Sequence, residues 1–486
     1  MSPHLWELDT LEDAEGHLQW LDFQPFKLQN FVNGSLVPHP HNDWIESMNP
    51  KTGLHFACIP NSTPEQIDQA VKAADAAFPA WSATPPSQRS QYLQRIASRI
   101  EEQRELFAVW ESIDQGKTLT RARVEIDRAV SNFRWDNSES LCILVSVKLT
   151  CLRAYFAMEH AVVSSYVEDR ALSGLWVYGR GKAERVDERD SLSYPVLSAV
   201  FQDVGLPPGV INLVYGAGNP TGSALVRHPL VKGISFTGGT ATGRQIRRDT
   251  VDDIGKHLSL ELGGKNPTLV FDDVDMDKAV ATAAAAAFEN QGEICLCGSR
   301  IYIQRRIWSE FVSRFVSYVK EHYELGNTVG AVVSLPHYNK IRSYLSLAAE
   351  DPVSVFHLGS IPPENPEGGF WIEPAVLTVS ESSPLLADEI FGPVVTLTPF
   401  DTEEEAIRRA NNSQYGLASI LLTKDGARMR RVGERLEAGL VWVNCWLVRE
   451  LGTPFGGMKA SGIGREGGEY SREVFTSVRT LHIPQV

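Results

Sequence analysis

The sequence predicts an α/β fold of two or three domains, in which parallel strands are covered by helices. Two observations lead to this prediction. From Gly209 onward, short apolar strands alternate with helical segments, as at residues 210–214 and 231–236. Such alternation is typical of a parallel sheet, because each crossover between parallel strands needs a connection long enough for a helix. A chain of 486 residues is also too long for one ordinary hydrophobic core. We therefore expect two or three domains.

The first predicted elements are a hairpin and two amphipathic helices. An apolar pair meets Asn33-Gly34, which is a turn signal typical of hairpins. A capping box at residues 63–66, with proline at the first helical position, predicts the start of a helix. Apolar residues follow it at spacings of four, three and four. A second helix is predicted over residues 87–110.

Later elements frame two residues of chemical interest. Strands are predicted at residues 394–399 and 439–443, and an alanine-rich helix is predicted over 275–288. Alternation around Glu261 places apolar side chains on one face of a strand and Glu261 on the other. The helix leads to a glycine turn, so that Cys295 is expected to begin a new element.

The composition excludes several classes of function. The chain is 43% hydrophobic and 22% charged, as in soluble globular proteins, and it has no apolar run of 18 residues. Its net charge of −14 argues against nucleic acid or membrane partners, because both bind through Lys and Arg. Six cysteines without a CxxC pair predict no disulfide framework and no metal site.

The N-terminal segment is acidic. Residues 1–26 contain no Lys or Arg, unlike a secretory or mitochondrial leader, so a cytoplasmic location is expected. We interpret residues 1–27 as a flexible acidic extension.

Cys295 and Glu261 suit catalysis through a covalent thioester. A cysteine attacks a carbonyl as the thiolate, and the glycine turn before Cys295 fits a thiol whose pKa is lowered by backbone donors. Glu261 would be the base that activates water against the thioester. Taken singly, a cysteine is more often a small buried hydrophobe, and a strand glutamate is more often a solvated carboxylate. Cys297 is a neighbouring spare thiol.

A glycine-rich segment at residues 236–243 follows one strand and precedes a predicted helix. Glycines at such a connection let backbone N–H groups and the helix dipole approach a pyrophosphate. The same pattern also occurs in connections that bind nothing. A rigid Gly-Pro turn after Glu389 and Phe391 is, on its own, a plain loop.

Together these motifs resemble the aldehyde dehydrogenase superfamily, over about residues 31–134 and 195–486. The resemblance implies that Cys295 is the nucleophile, that Glu261 is the general base and that a small-molecule aldehyde is the substrate. NAD is the implied cofactor, and NADP is not excluded. The implied cofactor-binding residues are Thr237, Gly238, Gly239, Leu262, Gly264, Glu389 and Phe391.

The resemblance also implies the domain plan. A Rossmann-like dinucleotide-binding domain would span residues 28–255, and an α/β catalytic domain would span 256–455. Residues 456–486 would return to the cofactor domain and supply an oligomerisation strand. A small oligomerisation element of this kind implies a homodimer or a homotetramer.

Residues 291–297, 441–450 and 114–119 are similar to the 2-aminomuconic semialdehyde dehydrogenase branch, which belongs to tryptophan catabolism. Its members hold a carboxylated semialdehyde with two arginines, and Arg449 and Arg128 occupy the matching positions. A guanidinium binds a carboxylate through a bidentate fork. The segment before Arg128 is one residue shorter than the branch pattern, so Arg121 and Arg123 are alternatives, and surface roles for all three also stay open.

The segment at residues 137–193 departs from the family. The family motifs Pro-Trp-Asn and Lys-Pro-Ser-Glu are absent from residues 138–190. The first supplies an oxyanion donor, a contact worth about 3–4 kcal/mol, and the second binds the adenosine ribose. The expected oligomerisation hairpin belongs to the same segment. Our hypothesis is a wrong reading frame or a misassigned exon, which sequencing the transcript would decide.

The absence of these two motifs leaves two other functions open. One is a non-catalytic family member that acts through binding or oligomerisation. The other is a weak esterase that uses Cys295 without hydride transfer.

Overall fold

The computed structural model describes residues 25–134, 160–165, 173–178, 193–468, 470–471 and 480–483. Most of the acidic extension, much of the 137–193 segment and most of the residues after 471 lie outside these ranges.

Twenty strands occur in the described residues. They are β1 Phe26–Lys27, β2 Asn30–Val32, β3 Ser35–Val37, β4 Trp44–Met48, β5 His55–Pro60, β6 His160–Ser165, β7 Ser173–Tyr178, β8 Ile211–Tyr215, β9 Gly233–Thr237, β10 His257–Glu261, β11 Pro267–Val270, β12 Arg300–Gln304, β13 Val355–Leu358, β14 Ala375–Thr378, β15 Val394–Phe400, β16 Tyr415–Gly416, β17 Ala418–Leu422, β18 Leu440–Val443, β19 Met458–Lys459 and β20 Gly462–Ile463.

Thirteen α-helices occur in the described residues. They are α1 Pro64–Ala83, α2 Pro86–Glu102, α3 Arg104–Gln115, α4 Leu119–Arg134, α5 Ser193–Asp203, α6 Ser223–Val226, α7 Thr240–Asp249, α8 Met276–Phe288, α9 Trp308–His322, α10 Leu335–Glu350, α11 Pro384–Ala387, α12 Glu403–Asn411 and α13 Gly426–Gly433. In the described residues, no helix is both long enough and apolar enough to cross a bilayer.

Two large sheets organise the molecule. The first has eight strands in the order β20-β10-β9-β6-β7-β8-β2-β3, and the second has seven in the order β13-β14-β15-β12-β11-β17-β18. Every neighbouring pair in the second sheet is parallel except β13 with β14. Its central strands β11 and β17 are buried along their whole length, as expected when helices cover both faces. The predicted α/β fold is confirmed.

The chain passes from the first sheet to the second between Glu261 and Pro267. Near its end it returns to the first sheet, because β20 pairs antiparallel with β10. The strand of Glu261 is therefore a member of the first sheet, although residue 256 was the expected start of the catalytic domain. The exact domain limits stay a prediction.

Two strands of the unusual 137–193 segment are described, and they lie inside the first sheet. β6 pairs antiparallel with both β9 and β7, whereas β7 pairs parallel with β8. Apart from these two strands and Ser193, the residues of this segment lie outside the described ranges.

The local predictions near the N-terminus largely hold. Asn33 and Gly34 take left-handed conformations in the turn between β2 and β3. Thr63 caps α1 through the predicted capping box. A single helix over 87–110 was wrong, because the chain breaks at Gln103 (φ −104°, ψ 22°). The helix after this break, α3, is buried on almost all sides. It must therefore change direction from α2 and enter the core.

Candidate active site

Cys295 lies shortly after a turn whose backbone is strained. After α8 ends, Asn290, Gln291 and Gly292 are all left-handed, with φ of 52°, 47° and 73°. A Cβ atom on Gly292 would lie 2.2 Å from the carbonyl oxygen of Gly392, so only glycine fits. Cys295 therefore follows the turn, as predicted, but it lies in a loop that leads to β12 rather than at the start of a regular element.

The side chain of Asn266 holds the backbone of this loop through hydrogen bonds. Its side-chain amide donates to the carbonyl of Cys295 at 2.7 Å and to the carbonyl of Cys297 at 2.9 Å, while its Oδ1 accepts the N–H of Ala418 at 3.0 Å. Gly264 allows the close approach, because a Cβ atom there would lie 2.5 Å from the Cys295 carbonyl. The backbone around the thiol is thus held by a buried amide on the segment that joins the two sheets.

Glu261 ends β10 and is only 5% exposed. Ser259 on the same face is buried too, so both faces of this strand are covered. Neither carboxyl oxygen of Glu261 has a hydrogen-bond partner among the described residues. Burial and the nearby Glu466 raise the pKa of Glu261 well above its usual value, against the opposing effects of Arg449 and Arg465. An unpaired carboxyl group with a raised pKa suits a general base.

Cys295 lies within electrostatic range of Glu261. Burial raises the pKa of the Cys295 thiol, the charges of Glu261 and Glu389 raise it further, and Arg449 lowers it. The expectation of a lowered pKa was therefore wrong, because desolvation and two carboxylates outweigh the charge of Arg449. At rest the sulfur is a thiol, and it must lose its proton before it can attack a carbonyl.

Cys297 faces a different part of the site. It is buried, and burial raises the pKa of its thiol to about 12. The charges that act on it come from Arg121 and Glu289 as well as Glu389. It stays a spare thiol by prediction.

Arg449 supplies a positive charge near Cys295 and Glu261. Its guanidinium stacks over the Phe455 ring at 3.8 Å, and its charge lowers the pKa values of both Cys295 and Glu261. The predicted residues Cys295, Glu261 and Arg449 are thus brought together from three distant parts of the chain.

The second arginine lies on α4. Arg123 binds Glu105 at 2.8 Å, whereas Arg121 binds Glu125 at 2.9 Å and lies 3.8 Å from Glu289. Arg128 is half-buried two helical turns after Arg121, on the same face. Of these arginines, Arg121 is the one whose charge acts on Cys297. The role of Arg128 stays a prediction.

The predicted phosphate site lies where β9 meets α7. Gly239 is the N-cap of α7, and a Cβ atom built on it would meet nothing within 4 Å, so space is open beyond the helix N-terminus. Thr237 ends β9 beside Glu261. Gly238 instead lies against the Phe236 ring, with its N–H donated to the carbonyl of Glu261 at 3.0 Å. Leu262, which follows β10, packs near Gly243 of α7.

Glu389 and Phe391 approach the site from the turn before β15. The Glu389 carboxyl group accepts the N–H of Gly264 at 2.8 Å, and burial raises its pKa. Phe391 has a φ of 64°, which is strained for a bulky residue. The structure therefore joins Glu389 to the glycine motif that also supports Cys295.

Sequence reasoning missed three residues of this region. Lys265 is 2% exposed, its Nζ has no partner among the described residues, and burial lowers its pKa to about 7, with Arg300 as the next cause. Asn266 follows it, so both could have been noticed directly after the glycine pair. His337 on α10 donates to the carbonyl of Phe391, and no local signal marks it.

A family model matches most of the chain. The model of the aldehyde dehydrogenase family matches residues 37–147 and 185–481. The unmatched residues between them fall within the segment that the sequence marked as unusual.

Named relatives cover nearly the whole chain. The 2-aminomuconic semialdehyde dehydrogenase of Bos taurus is 40% identical over 483 residues, which is 94% of this chain and 98% of the relative. The 2-hydroxymuconic semialdehyde dehydrogenase of Pseudomonas sp. (strain CF600) is 34% identical over 482 residues, covering 94% and 99% of the two chains.

A solved structure has the same architecture. The NAD+ complex of an aldehyde dehydrogenase from Bacillus cereus superposes with a TM-score of 0.82 and 29% identity, covering 96% of this chain and 97% of the other. The family match and the full-length relatives lead to one conclusion. This chain belongs to the aldehyde dehydrogenase family.

Proposed function

We propose that this chain oxidises a carboxylated semialdehyde to the corresponding acid, with NAD as the hydride acceptor, through a thioester on Cys295. The observation that carries the proposal is the convergence of Cys295, Glu261 and Arg449. Glu261 raises and Arg449 lowers the pKa of the Cys295 thiol, and Arg449 also lowers the pKa of Glu261. The relatives at 40% and 34% identity are named as dehydrogenases of muconic semialdehydes, which supports 2-aminomuconic semialdehyde as a candidate substrate.

The described residues fit a dinucleotide. The open N-terminus of α7 at Gly239 offers backbone N–H groups and the positive end of a helix dipole to a pyrophosphate. Glu389 offers a half-buried carboxyl group to ribose hydroxyls, beside Phe391. Bound there, NAD supplies the acceptor for the hydride that leaves the thiohemiacetal carbon. NADP stays an alternative, because the residues that would distinguish it belong to the 137–193 segment.

The chain's own groups perform the covalent steps. The Cys295 thiol gives up its proton to solvent, and its sulfur attacks the aldehyde carbon. After oxidation to the thioester, Glu261 removes a proton from water, and the resulting hydroxide attacks the thioester carbonyl. The carbon–sulfur bond then breaks, so that the acid leaves and the Cys295 thiol is restored. Arg449 binds the distal carboxylate of the substrate.

The proposal is tested by measuring NADH formation from a semialdehyde, with ester hydrolysis in parallel, for the wild type and Cys295→Ala. Cys297→Ala is the matched control, because it removes a thiol two residues away. Slow NADH formation is expected, since loss of an oxyanion donor generally costs about 10²–10³-fold in kcat. This activity should vanish in Cys295→Ala and persist in Cys297→Ala.

Other outcomes contradict the proposal. Ester hydrolysis without NADH would identify an esterase, and neither activity in a folded protein would identify a non-catalytic member. NADH formation that survives Cys295→Ala would exclude the thioester.

On the sequence grounds already given, we further propose a cytoplasmic location and a homodimeric or homotetrameric assembly. Light scattering on the purified chain measures the assembly directly.

A further inference from the structure

The N-terminal turns of α10 hold the loop that carries Glu389 and Phe391. His337 Nε2 donates to the backbone carbonyl of Phe391, and the two rings meet edge to face at 5.8 Å. One turn later, Lys340 Nζ donates to the carbonyl of Glu389 at 3.1 Å. Two side chains of one helix thus bind two carbonyls of a single turn.

The same imidazole also reaches the loop that carries the nucleophile. Glu293 precedes Cys295 by two residues, and its Oε1 lies 3.4 Å from His337 Nε2. That oxygen accepts the N–H of Val333 at 3.0 Å, and Oε2 accepts the Gln291 amide at 2.8 Å. Both Glu293 and His337 are buried.

The chemistry of this contact fixes the state of the imidazole. A carbonyl can only accept, so Nε2 must carry a hydrogen to bond with Phe391. Burial lowers the pKa of His337 to about 3, with Lys340 as the next cause, so the ring is neutral near physiological pH. The Nε2–H group therefore lies between Phe391 and Glu293 as a constant donor.

Both loops need such support, because both are strained. Phe391 is left-handed on one side, and Asn290 and Gln291 are left-handed on the other. The loops also meet directly, since Gly292 lies against the carbonyl of Gly392. Conformations of this kind persist only when surrounding contacts hold them.

We propose that His337 is a positioning residue which, together with Glu293, couples the loop of Cys295 to the loop of Glu389 and Phe391. The inference rests on the proposed function, because it takes Glu389 and Phe391 as cofactor contacts. Its consequence is that NAD binding at one loop changes the reactivity of the thiol on the other.

The test measures two quantities that need no turnover. They are the Kd for NAD and the rate constant for alkylation of Cys295 by iodoacetamide, with and without saturating NAD. The variants are His337→Gln, whose amide nitrogen takes the place of Nε2, and His337→Asn, whose amide is one carbon short. His357→Asn is the matched control, because its Nε2 binds Thr378 Oγ1 at 2.8 Å on β13, away from both loops.

In the wild type, NAD should change the alkylation rate by about 2- to 30-fold, the range measured for coupling through packed networks. His337→Asn should abolish this change and weaken NAD binding, His337→Gln should largely restore both, and His357→Asn should leave both unaltered. Should His337→Asn not fold, Glu293→Gln serves in its place. This substitution sets an amide N–H donor opposite the donating amide of Gln291, so that the contact between the two side chains is disturbed. It should also abolish the change.

The proposal is overturned when the asparagine variant, or Glu293→Gln, keeps the wild-type response to NAD. It is equally overturned when the glutamine and asparagine variants lose that response alike, which would indicate general packing. A wild type that fails to bind NAD refutes the proposed function itself and the coupling with it.

Discussion

The side-chain amide of Asn266 donates a 2.7 Å hydrogen bond to the backbone carbonyl of Cys295. The two residues lie 29 positions apart, and the amide is 2% exposed. Because the same nitrogen also holds the Cys297 carbonyl, this one side chain orients the backbone on both sides of Leu296. The position of the proposed nucleophile therefore depends on a residue that has no chemical role in the proposed mechanism.

Asn266→Asp should displace this loop. The substitution keeps the size of the side chain but sets carboxylate oxygens against two carbonyl oxygens, so both hydrogen bonds are lost. A displacement of about 1 Å at a reacting group can cost about 10²-fold in rate. We expect a fall of that order in the rate constant for NADH formation. Asn327→Asp, at an exposed turn, is the control and should match the wild type.

Glu261→Gln should block release of the acid rather than attack on the aldehyde. An amide cannot take a proton from water, and general-base assistance typically contributes about 10²–10⁴-fold. We expect a first turnover of NADH followed by a steady-state rate reduced by that factor, with a covalent adduct on Cys295 visible by mass spectrometry. An unchanged steady-state rate would assign the base to another residue. Glu437→Gln, at the surface, is the control.

Arg449→Met should make the Cys295 thiol harder to ionise. The cation lowers the pKa of this thiol, so its removal raises that pKa further and leaves less thiolate at a given pH. Alkylation at pH 8 should slow by about 3- to 10-fold, since each pKa unit changes the thiolate fraction tenfold. The rate should still rise with pH in both proteins. Arg306→Met, whose side chain is 83% exposed, should have no effect.

Lys265→Met should stabilise the fold near neutral pH. The pKa of Lys265 is about 7 in the folded protein against 10.5 for an ordinary lysine, so between these values the unfolded chain binds more protons. The free energy of unfolding therefore rises with pH through that window. The destabilisation caused by burying the Lys265 ammonium is greatest at and below pH 7.

The expected gain for Lys265→Met at pH 7 is on the order of 1–4 kcal/mol, from about 1.4 kcal/mol per pKa unit. Thermal unfolding should show a higher Tm at pH 7 and a difference that shrinks towards pH 10. A difference independent of pH would mean that desolvation of the ammonium is not the cause. Lys278→Met is the control, because its side chain is 85% exposed.

Several features followed from local sequence because their physics is local. The capping box at Thr63 needs only residues within one helical turn, and the hairpin at Asn33-Gly34 needs only two residues that tolerate positive φ. The motifs around Glu261 and Cys295 also identified the family.

The break at Gln103 was not predictable in this way. The periodicity of the two helices is continuous enough to suggest one helix, and only the depth of the core around α3 separates them.

The sequence by itself determined the α/β architecture and the family, because alternation, capping and motif spacing are properties of neighbouring residues. Only the tertiary structure decided the electrostatics of the site. The raised pKa of Cys295 arises from burial and from Glu261 and Glu389, which lie 34 positions before it and 94 positions after it. Likewise, the link from His337 to Phe391 spans 54 positions and exists only once α10 has packed against the turn before β15.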